Sequence, residues 1–152
     1  MIYRRPTAPG HGRGVKIVPV AAVAAFVMAG LSSGVAHAES APGCGTVPQI
    51  GKTAHIGWEA GAQWASVKQF KGCGKNWAYV YVWDSYHNRG GDYTVSAAIL
   101  TSGGTKGYRK GSNRRQEVWS AGTDTVSVCT QAQGSLYDNP EYAHFANTDK
   151  RC

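Results

Sequence analysis

Leucine is nearly missing from most of this 152-residue chain: past residue 38 only Leu100 and Leu136 occur. Trp, Tyr, Val and Thr fill the ordered stretches instead, a composition that favours strands over helices. No segment past residue 38 carries an apolar stripe at helical spacing. No Cys-x-x-Cys pair occurs, so zinc binding and thioredoxin-like redox chemistry lack their usual spacing. No Gly-x-Ser-x-Gly elbow is present, and only His55, His87 and His144 could serve as bases past residue 38. Nucleophilic catalysis of the protease or esterase kind is therefore unsupported. No metal site and no cofactor are expected.

Residues 1–38 also contain no carboxylate, but they do hold Arg4, Arg5, Arg13 and Lys16. An apolar run from Ile17 to Leu31 follows, and then Val35-Ala36-His37-Ala38 places small residues at −1 and −3. A basic head, a short apolar helix and such a junction are the three parts of a cleavable export signal. The run is shorter than the roughly 20 residues that a bilayer-spanning helix needs. The expected organisation is a signal peptide over residues 1–38 and one secreted domain over residues 39–152, with no membrane span after cleavage. Four of the sixteen Lys and Arg residues leave with the leader and none of the nine acids does. The net charge of the remainder is thus +3 rather than the +7 of the whole chain.

Four cysteines, Cys44, Cys73, Cys129 and Cys152, all fall in the remainder. An even count in a small exported domain reads as two disulfides. Three connectivities are open. Cys44–Cys73 with Cys129–Cys152 is preferred because each closes a local loop; the nested pairing would tie the termini together.

Trp77, Tyr79, Tyr81 and Trp83 alternate with Ala78, Val80 and Val82, a clear period of two. Residues Tyr93–Leu100 and Asp124–Gln131 are further expected strands, the latter with Val126 and Val128 opposing Ser127 and Cys129. Weaker candidates are Thr53–Glu59, Gln63–Phe70, Glu117–Ser120 and Tyr142–Phe145. Turn signals separate these runs, with Glu59-Ala60-Gly61, Gly72-Cys73-Gly74 and Ala121-Gly122-Thr123 as examples, and Asn88–Asp92 is expected to join two strong strands. Short strands with Gly-rich turns every ten residues or so indicate an all-β fold, a small antiparallel sandwich or barrel stabilised by two disulfides.

The run Trp64-Ala65-Ser66-Val67-Lys68-Gln69-Phe70-Lys71-Gly72-Cys73-Gly74-Lys75-Asn76-Trp77-Ala78, with Glu117-Val118-Trp119-Ser120 and Val126-Ser127-Val128-Cys129, resembles a family of small secreted actinomycete β-domains of unknown function. The likeness covers about residues 53–131 and implies a secreted β-domain without implying an activity. The chain lacks that family's paired N-terminal cysteines and adds Cys152, so no disulfide pairing carries over.

Two surfaces could bind a ligand. The aromatic row of Trp77, Tyr79, Tyr81 and Trp83 would offer a platform for sugar rings if exposed, and would form the core if buried, with Ala78, Val80 and Val82 facing away; Trp77 buried with Trp83 exposed is an intermediate arrangement. The segment Thr101–Arg115 holds Lys106, Arg109, Lys110, Arg114 and Arg115 among several glycines, with Tyr108 at its middle. Outside it, residues 39–152 carry a net charge of −2, so the basicity is local. Such a basic hairpin could grip phosphates, teichoic acid or an acidic protein surface, or simply keep a sheet edge soluble. Asp84, His87 and Asp92 fall across one turn, where such residues commonly serve a structural purpose. Tyr86 and Arg89 occupy positions at which a calcium loop needs a ligand or glycine.

The tail Glu141-Tyr142-Ala143-His144-Phe145 and the run Asp92-Tyr93-Thr94-Val95 resemble parts of small secreted guanyl-specific ribonucleases. That resemblance implies a hydrolase using Asp92 as base, Arg109 on the phosphate and His144 as acid. Here Glu141 stands where the acid belongs, and the family's helix is absent. The leading expectation is therefore a secreted, non-catalytic binding protein, monomeric, acting outside the cell on envelope polysaccharide or an extracellular protein, with nucleic acid disfavoured. The ribonuclease-like hydrolase is the alternative.

Overall fold

The computed structural model describes residues 38–57 and 63–152. The expected leader, bar Ala38, and the turn at Glu59-Ala60-Gly61 lie outside the described residues. Two antiparallel sheets pack face to face. The first runs in the order β1 (Ala38–Ala41), β2 (Gly45–Ile56), β3 (Ala65–Gly72), β4 (Lys75–Val82) and β7 (Glu117–Trp119). The second runs β6 (Gly104–Lys110), β5 (Thr94–Thr101), β8 (Gln131–Asn139) and β9 (Tyr142–Asn147). The fold is an all-β sandwich, and its disulfides are the two local ones, Cys44–Cys73 and Cys129–Cys152.

Alternation along β3 and β4 decides what lies between the sheets. Ala65 and Val67 on β3 meet Ala78, Val80 and Val82 on β4, all fully buried. They pack against Tyr93, then Val95, Ala97 and Ile99 of β5, and Ala132 and Leu136 of β8. The core is built from small and β-branched side chains, which explains how the chain forms one with so little leucine. Gly134 of β8 sits opposite Val67 and Val80, where a Cβ would come within 2.5 and 2.7 Å of their methyl groups.

The β4 rings take the intermediate arrangement, with Trp77 and Tyr79 buried and Trp83 exposed, and they do not form the core between the sheets. The aliphatic row does so, and the rings stand on the outer face of the first sheet. There Phe70, Trp77 and Tyr79 form a second buried cluster with Ala41 and Val47. Strand β1 crosses over this face: Glu39 reaches Lys68 on β3, Ala41 covers the rings, and the Cys44–Cys73 bridge staples the β1–β2 hairpin in place.

Three further expectations change. Residues 124–130 form no strand; Val126 and Val128 are exposed, and the segment is held by side-chain bonds such as Asn76 Nδ2 to Thr125 Oγ1 at 3.0 Å. Residues 88–92 do not close a hairpin, because β4 and β5 belong to different sheets and are linked through a single helical turn, α1 (Asp84–His87). The basic segment 101–115 contains a regular edge strand, β6, paired to β5 from Ser96↔Lys110 to Thr101↔Gly104 with one bulge.

Candidate functional site

A groove of about 540 Å³ opens on the outer face of the first sheet, beside β1. Cross-strand pairing builds it. Lys68 faces Tyr79 and Ser66 faces Tyr81 across β3–β4, and His55 faces Ser66 across β2–β3. Residues in register share a face, so these side chains converge although they are far apart in sequence. Thr53 and Glu39 complete one wall, and Trp83 stands at the far end.

The rings differ in availability. Trp77 and Tyr79 are 6% and 5% exposed, so of the four aromatic candidates these two are packed under β1 and Trp119. Tyr81 is half-buried and Trp83 is 41% exposed. Their rings meet edge to face with centroids 6.4 Å apart, so Trp83 presents its ring beside the Tyr81 edge. The phenol of Tyr81 donates to Asp84 at 3.3 Å and accepts from Gln116 at 3.2 Å, which fixes its ring.

Several of the groove's polar groups are already paired within the protein. Lys68 pairs with Glu39 at 3.0 Å, and its ammonium lies 6.0 Å from the Tyr79 ring centroid. Tyr79 donates to Glu117 at 2.9 Å. Burial, and then the bond to Glu117 and its charge, push the Tyr79 phenol far above its ordinary range. Burial followed by Asp84 moves Tyr81 the same way. Both phenols therefore stay protonated donors at neutral pH. Ser66 is 3% exposed and lines the groove floor, yet its hydroxyl has no hydrogen bond among the described residues. That oxygen faces the groove; among the described residues the buried polar side-chain atom left without a partner is instead Asn76 Oδ1.

A second cavity, of about 640 Å³, lies on the other side of the ring cluster, between edge strands β6 and β7. Arg109, Lys110 and Arg115 line it together with the Trp77 and Trp119 rings. The other basic-segment candidates, Lys106 and Tyr108, are exposed on β6 and line neither cavity.

The three hydrolase candidates do not share a cavity. Asp92 borders a hollow of about 420 Å³ with Tyr93 and Tyr137, where its carboxylate accepts from Asn113 at 2.7 Å. Arg109 lines the β6–β7 cavity. His144 borders a third hollow, packs edge-on to Trp64 at 4.9 Å and pairs with Asp138 at 3.4 Å. Asp138, which also accepts from Tyr86 at 2.8 Å, lines both the His144 and the Asp92 hollows, as does Asn139. Among the described residues no cluster of three His, Cys, Asp or Glu side chains could hold a metal ion.

Sequence reasoning reached Trp77, Tyr79, Tyr81, Trp83, Arg109 and Lys110, with Arg115 as part of the basic segment, and missed Glu39, Thr53, His55, Ser66, Lys68 and Trp119 as lining residues. The signal that could have found Ser66 and Lys68 is their alternation with Ala65 and Val67 in a strand abutting Cys73. Comparisons with protein-family models, with curated proteins and with solved structures find no match, which leaves the geometry to speak for function.

Proposed function

We propose that this protein is a secreted, non-catalytic domain that binds a polysaccharide outside the cell through the groove on its first sheet. The observation that carries this reading is the pairing of exposed Trp83 with half-buried Tyr81 above the unpartnered Ser66 hydroxyl. Sugar rings present apolar C–H faces and polar rims. An open indole and an unpartnered hydroxyl on the groove floor satisfy the two in turn. The extracellular setting is supported by two disulfides, and no helix among the described residues is long and apolar enough to cross a membrane.

The test is retention on insoluble cell-wall polysaccharide, followed in solution by tryptophan fluorescence. Trp83→Ala should weaken binding by about tenfold or more, the loss of a central aromatic anchor. Ser66→Ala should weaken it by a few-fold with no loss of stability, because its hydroxyl satisfies nothing within the protein. Unchanged retention of Trp83→Ala would refute the proposal.

A further inference from the structure

The groove and the basic cavity are neighbours on one surface. Tyr79 floors the groove, and its hydroxyl bonds Glu117, which lines the basic cavity. Its ring packs on Trp119 at 4.7 Å, which lines that cavity too. The register of β4 with β7 pairs Tyr81 with Glu117, and Val82 N–H then donates to the Gln116 carbonyl at 2.8 Å. Past Gln116 the pairing with β4 ends: the Arg115 N–H closes a turn onto the Ser112 carbonyl at 3.1 Å, and its side chain lines the basic cavity. The two cavities are thus joined through Tyr79, Glu117 and Trp119, with Trp83 lining one and Arg115 the other.

Their charges differ. Within the groove Lys68 is neutralised by Glu39. The β6–β7 cavity has three bases against Glu117, whose carboxylate already accepts from Tyr79. Lys110 is partly engaged, since its ammonium sits 5.1 Å from the Tyr137 ring centroid. Arg115 uses only Nε, toward the Glu117 carbonyl at 3.1 Å. The Arg109 guanidinium has no hydrogen bond among the described residues, and arginine forks are suited to planar anions.

We infer that the ligand is an anionic sugar chain: one ring stacks at Trp83 and Tyr81 while an acidic group further along the chain is held by Arg109 and Arg115. This inference rests on the saccharide reading above and narrows it to a charged class of polymer.

Two probes test it, hexagalacturonate and a hyaluronan hexasaccharide, each measured beside its uncharged methyl ester by tryptophan fluorescence at low and raised salt. The acid form of at least one should bind about tenfold tighter than its ester at 50 mM salt, and the advantage should shrink several-fold near 300 mM, where screening is stronger. The double variant Arg109→Ala/Arg115→Ala should lose that advantage and bind the ester within about twofold of the parent. Trp83→Ala should weaken acid and ester alike by about tenfold. Equal binding of acid and ester, an advantage that survives the double variant, or no binding of either probe would overturn the inference. Retention of the parent but not Trp83→Ala on insoluble polysaccharide would leave the saccharide reading standing in those cases. Acid binding that ignores Trp83→Ala and disappears in the double variant would overturn both.

Discussion

Replacing Gly134 by alanine adds a single methyl group at a point of close approach between the two sheets. The new Cβ would lie 2.5 Å from Val67 Cγ2 and 2.7 Å from Val80 Cγ2, far inside contact distance. Neither valine can give way. Both are fully buried, both are β-branched with one strongly preferred rotamer, and their strands are paired on both sides. Overpacking of this kind costs about 1–3 kcal/mol, offset by roughly 0.5–1 kcal/mol from replacing a strand glycine. The expected net loss is about 1–2 kcal/mol. Urea unfolding with intact disulfides, followed by tryptophan fluorescence, should show a lower midpoint at unchanged slope. Gly103→Ala serves as the control: its nearest neighbour is Thr101 Oγ1 at 3.7 Å, an ordinary contact, and its stability should change by less than about 0.5 kcal/mol. Val67→Ala removes one of the two clashing side chains, so the double variant Val67→Ala/Gly134→Ala should cost about 1 kcal/mol less than the sum of the singles. A Gly134→Ala protein as stable as its parent, or strictly additive doubles, would refute the close approach of the sheets.

Loss of Cys44–Cys73, which closes a loop between residues 29 apart, should cost about 3–4 kcal/mol on the loop-entropy model, as should loss of Cys129–Cys152. Only the first should also weaken ligand binding and expose Trp77 to quenchers, because only that bridge holds β1 over the rings; equal effects would contradict this placement. Tyr79, Tyr81, Tyr86 and Tyr93 all have phenols raised above the ordinary value of 10.0, burial being the largest cause in each. Protonated in the folded state, they contribute stability that is complete below about pH 10 and lost as the unfolded chain ionises above it. Each buried one contributes a slope of about 1.4 kcal/mol per pH unit. Tyrosinate absorbance should accordingly lag most for Tyr79 and Tyr86, and an ordinary titration near pH 10 for those two would refute the reading.

The strands and bridges were legible where the information is local. Period-two alternation at 77–83 and the aromatic, β-branched composition specify strands, and four cysteines with two short loops favour the pairing observed. The same pattern at 124–131 misled, since alternation of Val126 and Val128 with polar residues looks like a half-buried strand. The segment instead borders the bridge from Thr130 to Arg151 and is tied down through Thr123 and Thr125. The groove was only partly legible, because His55, Ser66 and Tyr81 meet through cross-strand register, and register is a property of paired strands rather than of any one of them.

Strand β4 shows where the boundary falls. Its sequence determines that Ala78, Val80 and Val82 lie on one face and the rings on the other, since successive side chains of a strand point to opposite sides. Which face is buried between the sheets is not written there, because both faces are apolar. Tertiary packing decides it. Where β3 and β4 face Gly134, the close approach of the sheets is filled by the valine methyls of Val67 and Val80. The rings are turned outward, where β1 covers Trp77 and Tyr79 and leaves Trp83 exposed.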